Sequence, residues 1–149
     1  MKNDLSTTTQ QNTPHHQQLR DVSNALLALH KTLIDSERLS YESVFGAIPS
    51  PNRFLHLLLH DPWFAWLRSI SGLIAIIDEA LDGKEVLTPD RAGQLMEQVR
   101  TLLQASDAGA GFAKQYDEAL QRDPDVVLAH ARVRKALATR QGPSEAMAS

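Results

Sequence analysis

Cysteine is absent from the 149 residues, which excludes disulfides, thiolate metal sites and cysteine nucleophiles together and fits a reducing compartment. A surplus of one charge is missing too. With 15 Lys and Arg against 18 Asp and Glu, the formal net charge is -3, so the basic balance that phosphate neutralisation demands of a nucleic-acid binder is lacking and no nucleic-acid partner is expected. Long apolar runs are also missing. The longest, around residues 73–77, is bounded by Arg68 and by Asp78 and Glu79, too short a stretch to span a bilayer, so no membrane partner is expected. The opening MKNDLSTTTQQNTPHHQQ contains Asp4 and no apolar run of signal-peptide length, which predicts a cytoplasmic protein. Finally, there is no apolar/polar alternation bounded by hairpin turns. The GAG at 109–111 has neither the preceding strand nor the Lys-Ser/Thr ending of a phosphate loop.

What is present is helix grammar. Hydrophobic residues at 42% and charged residues at 22% are ordinary for one globular domain, and a chain of this length buries roughly 70% of its unfolded surface. Five capping residues directly precede proline, in Thr13-Pro14, Ser50-Pro51, Asp61-Pro62, Thr88-Pro89 and Asp123-Pro124. A cap oxygen accepts from an orphan backbone N–H, and proline tolerates the first helical position because its missing N–H has no partner there anyway. Each pair therefore predicts a helix start.

The first helix is predicted from residue 14 or 17 to 43, with Leu19, Val22, Leu26, Leu29 and Leu33 on one stripe that drifts to Ile34, Glu37, Tyr41 and Val44 or Phe45. A short helix over 51–60 points Phe54, Leu57 and Leu58 inward. The third, over 62–81, carries Trp63, Leu67, Ile70, Ile74, Ile77 and Leu81 as a seam, with Trp66 flanking it. Its second face of Ala65, Ser69, Gly72 and Ile76 is small enough for another backbone to approach, so this helix is predicted to be central. A glycine inside a helix costs about 1 kcal/mol against alanine, so Gly72 itself predicts close packing. Gly83 is predicted as a left-handed cap. A fourth helix from 89 to about 104 shows Ala92, Leu95, Val99 and Leu102, widened by Met96 and Leu103. After a loop at 106–111, a fifth presents Phe112, Tyr116, Ala119 and Leu120. A sixth, from 124 to about 140, presents Val126, His130, Val133 and Leu137. Short connections between helices favour antiparallel neighbours. The predicted fold is all-α, an up-and-down bundle of four main helices plus short helices spanning 16–140, between disordered tails at 1–15 and 141–149.

Few residues suggest chemistry. His56 and His60 stand one turn apart on one helix, a spacing that can place two imidazoles on one metal. Further ligands would have to come from a facing helix, and a solvated face is the competing reading. Glu-x-x-His, the diiron bundle pattern, is missing: three residues after Glu79, Glu97 and Glu118 stand Asp82, Arg100 and Gln121. His130 lies in an apolar stripe, as a histidine hydrogen-bonded into the bundle does, with ligand or pH-sensing roles as alternatives. His15 and His16 look incidental. Glu37 is surrounded by Leu33, Ile34 and Tyr41; pointing inward it needs a cationic partner, for which Arg68 is the candidate. Arg132, Arg134, Lys135 and Arg140 form a small basic end suited to a helix C-terminus, with an anionic partner as the sharper alternative.

The stretch FAKQYDEALQRDP, from Phe112 to Pro124, is similar to half a tetratricopeptide repeat. Stacked repeat proteins need about three units, so it reads as helix-hairpin grammar. DPWFAWLR, with SERLSYE at 36–42 and Ser50-Pro51, resembles a family of small all-helical bacterial proteins to which no activity is attached, over residues 19–137. That resemblance implies a bacterial, cytoplasmic protein and transfers no site.

Two functions are expected. The first is a non-enzymatic helical bundle acting through protein–protein contacts, including self-association as a homodimer, with Phe64, Met96 and Leu103 as contact positions. The alternative is a bundle that binds a small ligand or metal near the junction of the second and third helices. Glu37, Tyr41, Trp63, Trp66 and Arg68 would face the ligand, and His56 and His60 the metal. No cofactor is named by the pattern.

Overall fold

The computed structural model describes residues 13–104 and 111–138. Among these the chain is all-helical, with no strand: α1 (Pro14–Phe45), α2 (Pro51–His60), a 3₁₀ segment (Pro62–Leu67), α3 (Arg68–Asp82), α4 (Pro89–Leu102), α5 (Phe112–Arg122) and α6 (Pro124–Ala138). The predicted tails apart from residues 13–15, and the predicted loop at 106–111 apart from Gly111, lie outside the described residues. Pro14 and His15, placed by sequence in the N-terminal tail, form the first turn of α1.

The proline-marked starts hold, and four of the five cap oxygens accept as expected: Ser50 from Arg53 N, Asp61 from Trp63 N, Thr88 from Arg91 N and Asp123 from Asp125 N. Thr13 makes no such bond to the helix it precedes. At the far end of α1, Gly46 takes φ 89°, the left-handed region that glycine enters freely, and its N–H donates to Glu42 O at 2.9 Å. Gly83 is different from its expectation. Its backbone is extended, at φ -74°, and what requires glycine is that a Cβ would collide with the Glu79 carbonyl oxygen.

The central helix is α1 and not the third helix. It packs most extensively on α6, then on α3 and α4, and it touches the 3₁₀ segment and α5 as well. Leu19, Val22, Leu26, Leu29 and Leu33 are wholly buried along it. With 32 residues against 15 in α3, α1 spans the whole bundle, and length outranks a second apolar face in deciding which helix is wrapped.

His16 also departs from its expectation. It is buried, and its Nε2 lies 3.1 Å from Leu81 O at the end of α3, while His15 Nε2 lies 2.8 Å from Leu87 O. The two rings tie the first turn of α1 to the α3–α4 connection.

The predicted seam of the third helix changes register at Arg68. From Pro62 to Leu67 the chain is a 3₁₀-helix, with three residues per turn in place of 3.6. Side chains three apart then eclipse, so Phe64, Leu67 and Ile70 form the inward row, and Phe64, not Trp63, is wholly buried. Phe64, Met96 and Leu103, expected as partner contacts, are all core residues.

Candidate functional site

Glu37 joins three elements of the fold. On α1 it is buried, and its Oε2 accepts from Trp63 Nε1 at 2.9 Å while its Oε1 accepts from Arg122 Nη2 at 3.0 Å. The same Arg122 nitrogen donates to Ser36 Oγ at 3.0 Å. The partner of Glu37 is therefore Arg122 at the end of α5 and not Arg68, because the α5 C-terminus packs back onto the middle of α1. Arg68 donates to the carbonyls of Leu58 and Asp61 and so clips the bend between α2 and α3.

Tyr41 is half-buried one turn after Glu37, with its ring centroid 5.7 Å from Trp63 edge-on, 5.5 Å from Phe64 and 4.7 Å from Phe45. Edge-to-face and tilted contacts at these distances add to area burial. Thus Glu37, Tyr41 and Trp63 come together as expected, but both carboxylate oxygens are engaged. The cluster is a tie between α1, α5 and the 3₁₀ segment.

Trp66 belongs to a different cluster. It meets Phe112 edge-on at 5.3 Å, Phe112 stacks on Tyr116 at 5.6 Å, and the wholly buried Tyr116 places its hydroxyl 2.6 Å from His130 Nδ1. Burial pushes the Tyr116 phenol well up, and burial followed by the Arg134 charge holds His130 below its ordinary value. The Trp66 indole N–H is enclosed without a partner among the described residues. Since an orphaned buried donor costs about 1–3 kcal/mol, Trp66 is a weak point of the core.

His56 and His60 lie with ring centroids 4.8 Å apart on the exposed side of α2. Among the described residues, no group of three or more His, Cys, Asp or Glu side chains is placed to hold a metal ion. No described helix is long and apolar enough to cross a membrane.

One open groove with an apolar floor was visible in sequence only as a stripe of small residues. It is a groove of about 780 Å³ between α3 and α4, floored by Gly72, Leu73, Ile76 and Leu102 and rimmed by Arg68, Ser69, Gln94 and Glu97. Gly72 was expected to admit a close neighbour, yet a Cβ built there meets nothing within 4 Å. Arg122 was missed because no local pattern links α5 to a residue 85 positions earlier.

No family model, no curated protein and no solved structure matches this chain.

Proposed function

We propose that this protein is a cytoplasmic, non-enzymatic helical bundle that acts through protein–protein contacts, and that the groove between α3 and α4 seats a second copy of the same chain. In this reading α1, α3, α4 and α6 run up and down as the four main helices, and the bacterial family that the DPWFAWLR motif resembles is one of interaction modules. The observation that carries the proposal is Gly72. It weakens α3 intrinsically, it lies in the middle of an exposed helix face, and no described residue comes within 4 Å of the Cβ it lacks. Small residues matter where a second backbone comes close.

The groove also carries both signs of charge, Arg68 on its α3 rim and Glu97 on its α4 rim. A two-fold axis through the groove would set Arg68 of each copy against Glu97 of the other, the self-complementarity that an isologous dimer requires. Sedimentation equilibrium of the full chain up to about 1 mM tests the proposal. A reversible dimer that Ser69→Arg reduces to a folded monomer is expected. A chain that stays monomeric throughout overturns the reading, as does a dimer indifferent to Ser69→Arg.

A further inference from the structure

Toward the C-terminal end of α4, Arg100 meets His130 and Arg134 of α6 at a second cleft. It has a volume of about 410 Å³ and is lined by Arg100, Leu103 and Gln104 of α4 and its C-terminal turn, and by His130, Arg134 and Leu137 of α6. In a chain of net charge -3 this is a local concentration of cations. Two of the three are held in place by the fold. Arg100 Nη2 donates to Leu137 O at 3.0 Å and its Nη1 to Glu97 Oε2 at 3.1 Å, which leaves further guanidinium N–H groups unused.

His130 is fixed by Tyr116. The buried phenol has His130 Nδ1 as its one hydrogen-bond partner among the described residues, so its O–H donates to Nδ1. The imidazole proton then sits on Nε2, the ring edge away from Tyr116, in a residue that lines the cleft.

Arg134 is the informative residue. One turn after His130 on α6, it makes no hydrogen bond or ion pair among the described residues, and its charge opposes protonation of His130. Cations near a helix C-terminus are accounted for when they reach its carbonyls, as Arg100 does with Leu137. Among the described residues Arg134 reaches none and no acidic side chain lines the cleft, so a positive charge stands against an imidazole there.

The geometry points to an anion site here, for a small phosphomonoester whose phosphate takes donors from Arg100, Arg134 and His130 while its apolar part lies on Leu103 and Leu137. Phosphate suits the arrangement better than carboxylate. Three donors from separate directions need three acceptor oxygens, and two guanidinium charges match a dianion. The cleft is larger than a bare phosphate, which leaves room for a small organic body. The site shares the Arg100–Glu97 ion pair with the rim of the α3–α4 groove, but its ligand contacts do not require the groove to be filled.

The test is a titration of the full-length, isotope-labelled chain with inorganic phosphate at constant ionic strength, read by the His130 imidazole and arginine side-chain resonances. Saturable shifts at His130 and Arg134 are expected, with affinity reduced at least about tenfold in Arg134→Ala and unchanged in Arg91→Ala, an exposed arginine of α4 that lies outside the cleft. Non-saturating shifts overturn the proposal, as does equal affinity in Arg134→Ala. Acetate titrated in parallel should bind more weakly; acetate binding as tightly as phosphate overturns the phosphoryl assignment.

Discussion

The junction of α1, α5 and the 3₁₀ segment and the groove between α3 and α4 are built from similar residue types and treat them in opposite ways. At the junction, every strongly polar group meets another: Glu37 takes Trp63 and Arg122, Ser36 takes Arg122, and the aromatics Tyr41, Trp63 and Phe64 close over them. In the groove, Ile76 is 46% exposed and Gly72 faces open space. Saturated contacts mark a region whose task is to hold the fold. In the function proposed above, the open and weakened helix face has its task outside the chain. The residues that looked most like a site in sequence, Glu37, Tyr41 and Trp63, belong to the first kind.

Four perturbations would break or sharpen that contrast. The largest effect is expected at Phe64, assigned by sequence to the surface and found wholly buried: Phe64→Ala should lower unfolding free energy by about 3–5 kcal/mol in urea titrations. A loss of only a few tenths would return it to the surface. Next, Glu37→Gln should cost about 2–3 kcal/mol by weakening the bond to Arg122 and the bond from Trp63. Because Arg122 is 38% exposed, it can turn to water, so the double variant with Arg122→Gln should cost less than the sum of the singles. Strict additivity would mean that the ion pair does not hold the junction.

Gly72→Ala should act in the opposite direction on the monomer and stabilise it by up to about 1 kcal/mol, since the added methyl meets nothing and alanine favours helix. The same change should weaken self-association. A destabilised monomer would show that the α3 face is packed after all.

The smallest effect is one of pH. Burial holds both His30 and His130 below their ordinary value of 6.5; at His30 a hydrogen bond with the Leu67 backbone opposes the shift, and at His130 the Arg134 charge adds to it. The unfolded chain then binds more protons just below that value, so their contribution is present above pH 6.5 and is lost as pH falls toward the lowered folded values. Stability should decline from about pH 7 to 5, and His30→Asn with His130→Asn should flatten that slope. An unchanged slope would place its origin elsewhere.

Much of the fold was legible because it depends on short-range chemistry. Cap-proline pairs and stripes at intervals of three and four are local patterns, and the helices start where those pairs stand. The site was legible only in part. Glu37 was conspicuous as a carboxylate among apolar neighbours, but its partner lies 85 residues away on α5, beyond any pattern that one helix can display. Phe64 was misplaced because a seam counted at 3.6 residues per turn fails where the backbone winds at three. His15 and His16 looked incidental because the carbonyls they meet, Leu87 and Leu81, are more than 60 residues on.

By itself, then, the sequence determined that this chain is helical, where its proline-marked helices begin and that Leu19, Val22, Leu26, Leu29 and Leu33 turn inward on the first, since caps and periodicity act within a few residues. Tertiary structure alone decided that α1 is the central helix, that Arg122 answers Glu37, that the small face of α3 stays open and that Arg134 stands beside His130 without a counter-charge among the described residues. Those outcomes depend on which helices meet and at what depth, and a burial or a pairing between distant residues exists only once the chain has closed on itself.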